Sequence, residues 1–166
     1  LGPGDELIVQ GGLYELSDRF SFSIAGTANQ PIVIRAKPGE RPHLHRASTD
    51  QNILDIDSAD HVTIAGLEFS GGSAGIRITA AEYLTIRDCE VWGTGDVALR
   101  ANDGGTYVGL QILYNHIHHT DGTGEGMYLG CNDDGCRVAD SLIAGNYVHD
   151  TNGPTVSQGD GIELKE

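Results

Sequence analysis

The chain has 166 residues, enough for one domain with its own core, and carries 24 acidic against 10 basic residues, a formal charge of −14. That balance excludes nucleic-acid binding through phosphates and disfavours an acidic polymer as ligand unless local arginines or cations intervene. Its 24 glycines and few aromatics describe a turn-rich β protein, and no apolar run reaches membrane-spanning length, so no membrane insertion is expected.

In chain order, Pro3-Gly4 reads as a turn, Leu7-Ile8-Val9 as a strand and Gly11-Gly12 as a break. Phe20 to Ile24 alternates and reads as a second strand, and Pro31 to Ala36 as a third, closed by Lys37-Pro38-Gly39. Residues 43 to 51 are polar and carry no clear signal. From residue 53 a register appears. Val62-Thr63-Ile64, Leu84-Thr85-Ile86, Leu110-Gln111-Ile112 and Ser141-Leu142-Ile143 align, with the isoleucines 22, 26 and 31 residues apart. Five positions on, Phe69, Val91, Ile117 and Val148 are also apolar. A second column aligns Leu54-Asp55-Ile56, Ile76-Arg77-Ile78, Val97-Ala98-Leu99, Met127-Tyr128-Leu129 and Ile162-Glu163-Leu164. Each triplet is in-out-in, which is the period-two signature of a strand.

The final two copies are the clearest. Asn115-His116-Ile117-His118 through Gly124-Glu125-Gly126 repeats as Asn146-Tyr147-Val148-His149 through Gly159-Asp160-Gly161, with the second copy longer in its Pro154-containing loop. Coils of this length, each holding two or three short strands, describe an all-β parallel β-helix: a single domain over residues 1–166, with less regular coils up to residue 50 and regular coils from 51. Leu67, Cys89, Asn115 and Asn146 share an inward position, which makes Cys89 a buried thiol and the two asparagines a short amide ladder. Cys131 and Cys136 bracket a polar turn and read as a disulfide, with free thiols or a metal pair as alternatives; Asp133 and Asp134 inside that loop are a minor cation candidate.

The opening, Pro3-Gly4-Asp5-Glu6-Leu7-Ile8-Val9 followed by Gly12-Leu13-Tyr14 and Gly26-Thr27-Ala28-Asn29-Gln30-Pro31-Ile32-Val33-Ile34-Arg35-Ala36-Lys37-Pro38-Gly39-Glu40, resembles that of secreted right-handed parallel β-helix proteins of the pectate-lyase-like superfamily. The later Val-Thr-Ile and Asn-x-Ile-His coils resemble its generic repeats. The resemblance implies a right-handed solenoid, secretion to the extracellular space or cell surface, and a glycan partner. Across that superfamily the implied activities are polysaccharide lyase, glycosidase, uronan epimerase or none. Both ends fall at strands without caps, so the chain reads as part of a longer solenoid with ends open to self-association.

The outward residues of the second column form a flat face. Its first row is expected to be Asp55, Arg77, Ala98, Tyr128 and Glu163, and its second Asp57, Thr79, Arg100, Gly130 and Lys165. Glu125 and Asp160 occupy matched positions before their strands, and Asp96 joins them if a one-residue bulge is allowed. Two carboxylates about 5 Å apart at an effective dielectric near 20 repel by on the order of 3 kcal/mol. Relief by calcium makes Asp96, Glu125 and Asp160 the candidate metal ligands, against the alternative of solvated, screened acids.

In the related lyases acidic calcium ligands typically accompany a lysine or arginine base, which names Arg77, Arg100 and Lys165 as candidate catalytic residues here. Lys165, flanked by Glu163 and Glu166, is expected to hold its proton, and Asp55 with Arg77 to pair. Tyr128 and Trp92 are candidate sugar-stacking residues. His118 and His149 share a column flanked by His116 and His119, and are candidates for substrate binding or metal ligation. The leading expectation is a lyase that cleaves uronic-acid polymers by β-elimination with calcium. The competing class is a non-catalytic structural or adhesive β-helix segment, with a glycoside hydrolase or uronan epimerase as the remaining enzymes.

Overall fold

A computed structural model describes residues 1–132 and 134–165; Asp133 and Glu166 lie outside the described residues. The chain winds as a right-handed parallel β-helix whose coils contribute strands to three sheets. Sheet A stacks Glu6–Val9, Ile32–Ala36, Val62–Ala65, Thr85–Arg87, Gln111–Leu113 and Leu142–Ala144. Sheet B stacks Gly12–Glu15, Pro42–Arg46, Glu68–Gly71, Glu90–Trp92, His116–His118 and Tyr147–His149. Sheet C starts from Phe20–Ala25 on Leu54–Asp60 and then divides. One branch runs through Ile76–Ile78, Leu99–Ala101, Met127–Leu129 and Ile162–Leu164, and the other through Ala81–Glu82, Gly105–Val108 and Cys136–Ala139.

Short strands turn at fixed corners because one residue per corner takes a left-handed conformation. After the second branch of sheet C that residue is His61, Tyr83, Gly109 or Asp140; after sheet A it is Gly66, Asp88, Tyr114 or Gly145; after sheet B it is Gly71, Gly93, His119 or Asp150. Glycine adopts this conformation without strain, and Asp and His adopt it more readily than most side chains. Two aromatics join them because the next coil gives them a seat. Tyr83 lies over Gly109 and Tyr114 over Gly145, where a Cβ would come within 2.6 and 2.4 Å of the ring.

Between the corners, alternate residues point inward. Ile64, Ile86 and Ile112 fall in one buried row, and Phe69, Val91 and Ile117 in another. These rows merge into one continuous apolar cluster along the axis. Inward residues of the first and last coils, such as Leu7, Ile162 and Leu164, are exposed.

The amide ladder forms as expected. Asn115 Oδ1 accepts the Cys89 N–H at 3.0 Å, its Nδ2 donates to Ile86 O and to Asn146 Oδ1, and Asn146 Nδ2 donates to Ile112 O at 2.7 Å. Each amide thereby joins its own coil to its neighbours. Cys131 and Cys136 close a disulfide, and Cys89 is a buried free thiol whose pKa burial pushes up to about 11.

The structure corrects one register. Arg77 pairs with Arg100 and Arg100 with Tyr128, so Leu99-Arg100-Ala101 is the strand triplet of that coil, two residues beyond Val97-Ala98-Leu99. A slip of two residues keeps every side chain on its own face, so alternation cannot detect it. Ala98 is buried at the start of the strand and Arg100 takes the outward place beside Arg77.

Two outcomes follow. Replacing Asn115 by Ala strands the Cys89 N–H and the Ile86 carbonyl and should cost about 3 kcal/mol in denaturant melts. Native protein should leave Cys89 unreactive to a thiol reagent, with one thiol titrating after unfolding in the absence of reductant.

Candidate functional site

The first branch of sheet C presents one outward row: Asp55, Arg77, Arg100, Tyr128 and Glu163, neighbours in that order along the axis. Coil spacing of about 4.8 Å brings Arg77 and Arg100 side by side, so their positive charges need relief. Arg77 finds it in Asp103, with Nε 2.7 Å from Oδ2, and in Asp55, with Nη1 3.6 Å from Oδ2. Asp103 raises the Arg77 pKa further through that hydrogen bond. Asp103 is itself placed by Tyr107, a fully buried ring whose hydroxyl lies 3.0 Å from Ile78 O and accepts the Asp103 N–H at 3.1 Å. Burial raises the Tyr107 pKa, which keeps the phenol protonated and able to donate. Asp55 is buried and fully partnered, receiving Arg19 Nη1 at 3.0 Å and Asn52 Nδ2 at 2.7 Å.

Arg100 differs from Arg77. Among the described residues it makes no ion pair, and its Nε is buried with no hydrogen-bond acceptor. Thr79 Oγ1 and Glu163 Oε2, on the same face, are also buried without partners. Lys165 pairs with Glu163 and stands 5.8 Å from the centre of the Tyr128 ring. Glu163 raises the Lys165 pKa, so the amine is protonated as the sequence implied. Arg19, Arg77, Arg100 and Lys165 thus collect on one face of a strongly acidic chain.

Sheet B carries a second polar surface. Its outward rows run His43, Glu68, Glu90, His116, Tyr147 and His45, Ser70, Trp92, His118, His149. Trp92 stacks on His43 with ring centres 4.8 Å apart and on His118 at 6.0 Å. Glu90 Oε1 lies 3.2 Å from His116 Nδ1 and 3.1 Å from His118 Nε2, while Arg41 Nη2 holds Glu90 Oε2 at 2.8 Å. Burial pulls the Glu90 pKa upward, but the hydrogen bond from His118 and the charges of His116 and Arg41 bring it below the usual value. Burial and then His118 push the His116 pKa down.

A family model, the Pel9A-like right-handed β-helix region, matches residues 1–165. The chain belongs to that family. Among solved structures it is similar to alginate lyase from Paenibacillus sp. str. FPU-7, with 24% identity, a TM-score of 0.67, and 86% of this chain covering 52% of that one. It is also similar to pectate lyase Pel9A, with 14% identity, a TM-score of 0.66, and 85% of this chain covering 39% of that one. At these identities the likeness is one of fold, and the chain spans about half or less of those proteins. No curated protein matches it in sequence.

Within this family member the expected site residues fall on separate surfaces. Arg77, Arg100, Tyr128 and Lys165 share the sheet C face. Trp92, His118 and His149 lie on sheet B. Asp96, Glu125 and Asp160 do not form a converging set of ligands among the described residues. Asp96 Oδ1 accepts from Thr123 N and Oγ1; Glu125 is buried with Oε2 unpartnered; Asp160 is exposed. The strand register sets Asp96 apart, since Val97 and not Asp96 matches Glu125 once Leu99 pairs with Met127, while Glu125 and Asp160 stay at matched positions. The Pro154 loop contributes Asn152, Gly153 and Thr155 to a groove it shares with Thr94, His119 and Asp121, at the edge of sheet B and away from Arg100.

Sequence reasoning did not find Arg19, Asp103, Tyr107, Arg41 or Glu90. Glu90 was within reach, because the Val91 and Ile117 alignment already sets it beside His116. The others come from loops or distant strands whose direction no periodicity encodes. Tyr107→Phe removes the hydroxyl that holds Asp103 and should cost about 1–2 kcal/mol in denaturant melts.

Proposed function

We propose that the sheet C face binds a uronic-acid polymer and cleaves it by β-elimination, as a secreted polysaccharide lyase. The observation that carries this reading is Arg100, a guanidinium without an ion-pair partner among the described residues and with a buried, unsatisfied Nε, set between Arg77 and Tyr128 on an open face. A desolvated N–H with no acceptor is costly, and a planar carboxylate from a ligand is the group an arginine fork fits best. The neighbours of like fold are lyases of alginate and of pectate, which supports a polyuronate as the ligand class. The disulfide supports an oxidising, extracellular setting.

β-Elimination requires two things of the protein. The uronate carboxylate must be neutralised so that the adjacent C5 proton becomes acidic, and a base must remove that proton as the C4–O bond breaks, the electron pair forming the C4–C5 double bond and the departing O4 taking a proton from solvent. Arg100 supplies the first. Lys165 is the candidate base, two residues past Glu163 and close to Tyr128, whose ring offers a surface for a sugar. Arg77, held by Asp103 and Asp55, acts as a fixed positive neighbour that orients the polymer. Asp96, Glu125 and Asp160 do not converge among the described residues, and in this reading the arginines carry the charge neutralisation.

The assay is the absorbance of unsaturated products from alginate, pectate and related uronans, with and without added calcium. Wild-type protein should form product; its absence on every uronan overturns the reading. Arg100→Ala should lower kcat/KM by about 100-fold or more, the usual loss when a charge-stabilising donor is removed. Lys165→Ala should lower kcat by about 100-fold or more.

The pH dependence has a definite sign. A base works as the neutral amine, and Glu163 raises the Lys165 pKa, so the rate should climb with pH toward the alkaline range. Glu163→Gln removes the raising charge and should move that climb to lower pH. A pH–rate profile unchanged by Glu163→Gln would exclude Lys165 as the base.

A further inference from the structure

The sheet B histidines are not used by the sheet C chemistry, and their geometry is specific. Glu90 Oε1 lies 3.2 Å from His116 Nδ1 and 3.1 Å from His118 Nε2, and the three side chains offer ligand atoms within 4.8 Å of one another. Tetrahedral zinc with bonds of about 2.0–2.1 Å sets its ligand atoms about 3.3 Å apart. The carboxylate-to-imidazole separations therefore match two edges of such a site.

The surrounding hydrogen bonds orient the ligands. His149 Nδ1 lies 2.8 Å from Asp150 Oδ2, so the proton of a neutral His149 belongs on Nδ1, donated to that carboxylate. His149 Nε2 is then an acceptor, and it lies 2.7 Å from His116 Nε2, which must donate. This tautomer, assigned from the network, leaves His116 Nδ1 bare and directed at Glu90 Oε1. Two lone pairs 3.2 Å apart repel, and a proton or a metal cation between them relieves the repulsion. The chain Asp150 to His149 to His116 is the carboxylate-imidazole support that commonly fixes a metal-bound histidine. On the other side His118 Nδ1 meets His119 Nδ1 at 2.6 Å, which leaves His118 Nε2 for Glu90 Oε1. Arg41 holds Glu90 Oε2, so the carboxylate offers one oxygen to the site.

We propose that Glu90, His116 and His118 form a zinc site on sheet B, with His149 as a positioning residue and an open fourth position. Two imidazoles and one carboxylate suit a borderline first-row cation and not calcium, which takes oxygen ligands. Glu90 lies on one coil and both histidines on the next, so the ion bridges coils. This inference is independent of the lyase reading.

The test is calorimetric titration of tag-free, chelator-treated protein with zinc chloride, alongside calcium chloride, and the visible spectrum of the cobalt(II)-loaded wild type. The expected result is one saturable zinc equivalent, no calcium heat, and the intense visible bands of tetrahedral cobalt. Glu90→Gln and His118→Ala should each abolish saturable binding while the far-UV dichroism stays that of the wild type. His149→Ala should weaken binding about 10- to 100-fold. No saturable zinc binding by the wild type, or an octahedral cobalt spectrum, overturns the proposal without reference to any variant. So does zinc affinity unchanged in Glu90→Gln and His118→Ala.

Discussion

The parallel hydrogen-bond ladder between coils is the constraint on which the rest of this structure depends. Each strand is only a few residues long and has little stability alone, so its position is set by the strand above and the strand below. The left-handed corners make this possible. From residue 61 on, one residue per corner turns the chain, and because the three corners recur at matched positions, these coils bring their strands alongside one another. Inward rows of isoleucine, leucine and valine then stack into a continuous core. The asparagine pair does by side chain what the ladder does by backbone, carrying hydrogen bonds from coil to coil inside the turn.

The same register imposes a problem on the outward rows. A residue and its counterpart one coil away are about 4.8 Å apart whatever their charges. At two such meetings of like charge the protein brings a counter-ion from elsewhere. Glu68 and Glu90 are paired neighbours and both are bound by Arg41. Arg77 and Arg100 are paired neighbours, and Asp55 and Asp103 serve the first. Two of these outward positions carry the proposals made above. Arg100 is left with an unsatisfied donor, and Glu90 faces two imidazoles across a gap of ligand-to-ligand length. Both follow from stacking, because a solenoid concentrates like side chains at coil spacing.

The amino-acid sequence by itself determined the fold class, the sheet A and sheet B columns, the buried Cys89, the asparagine ladder and the outward direction of Arg77, Tyr128 and Lys165. These rest on period-two alternation and on repeats of apolar residues, both local properties. Only the tertiary structure decided how far each strand slides along its neighbour. That sliding put Arg100 in place of Ala98 beside Arg77 and set Val97 rather than Asp96 against Glu125, while Tyr128 stays on the arginine face and Trp92, His118 and His149 lie on sheet B. Alternation is blind to a shift of two residues, because such a shift returns every side chain to its own side of the sheet. The shift is resolved by packing and by side chains that arrive from other coils, as Asp103 does on its Tyr107 support, and those contacts exist only once the coils are stacked.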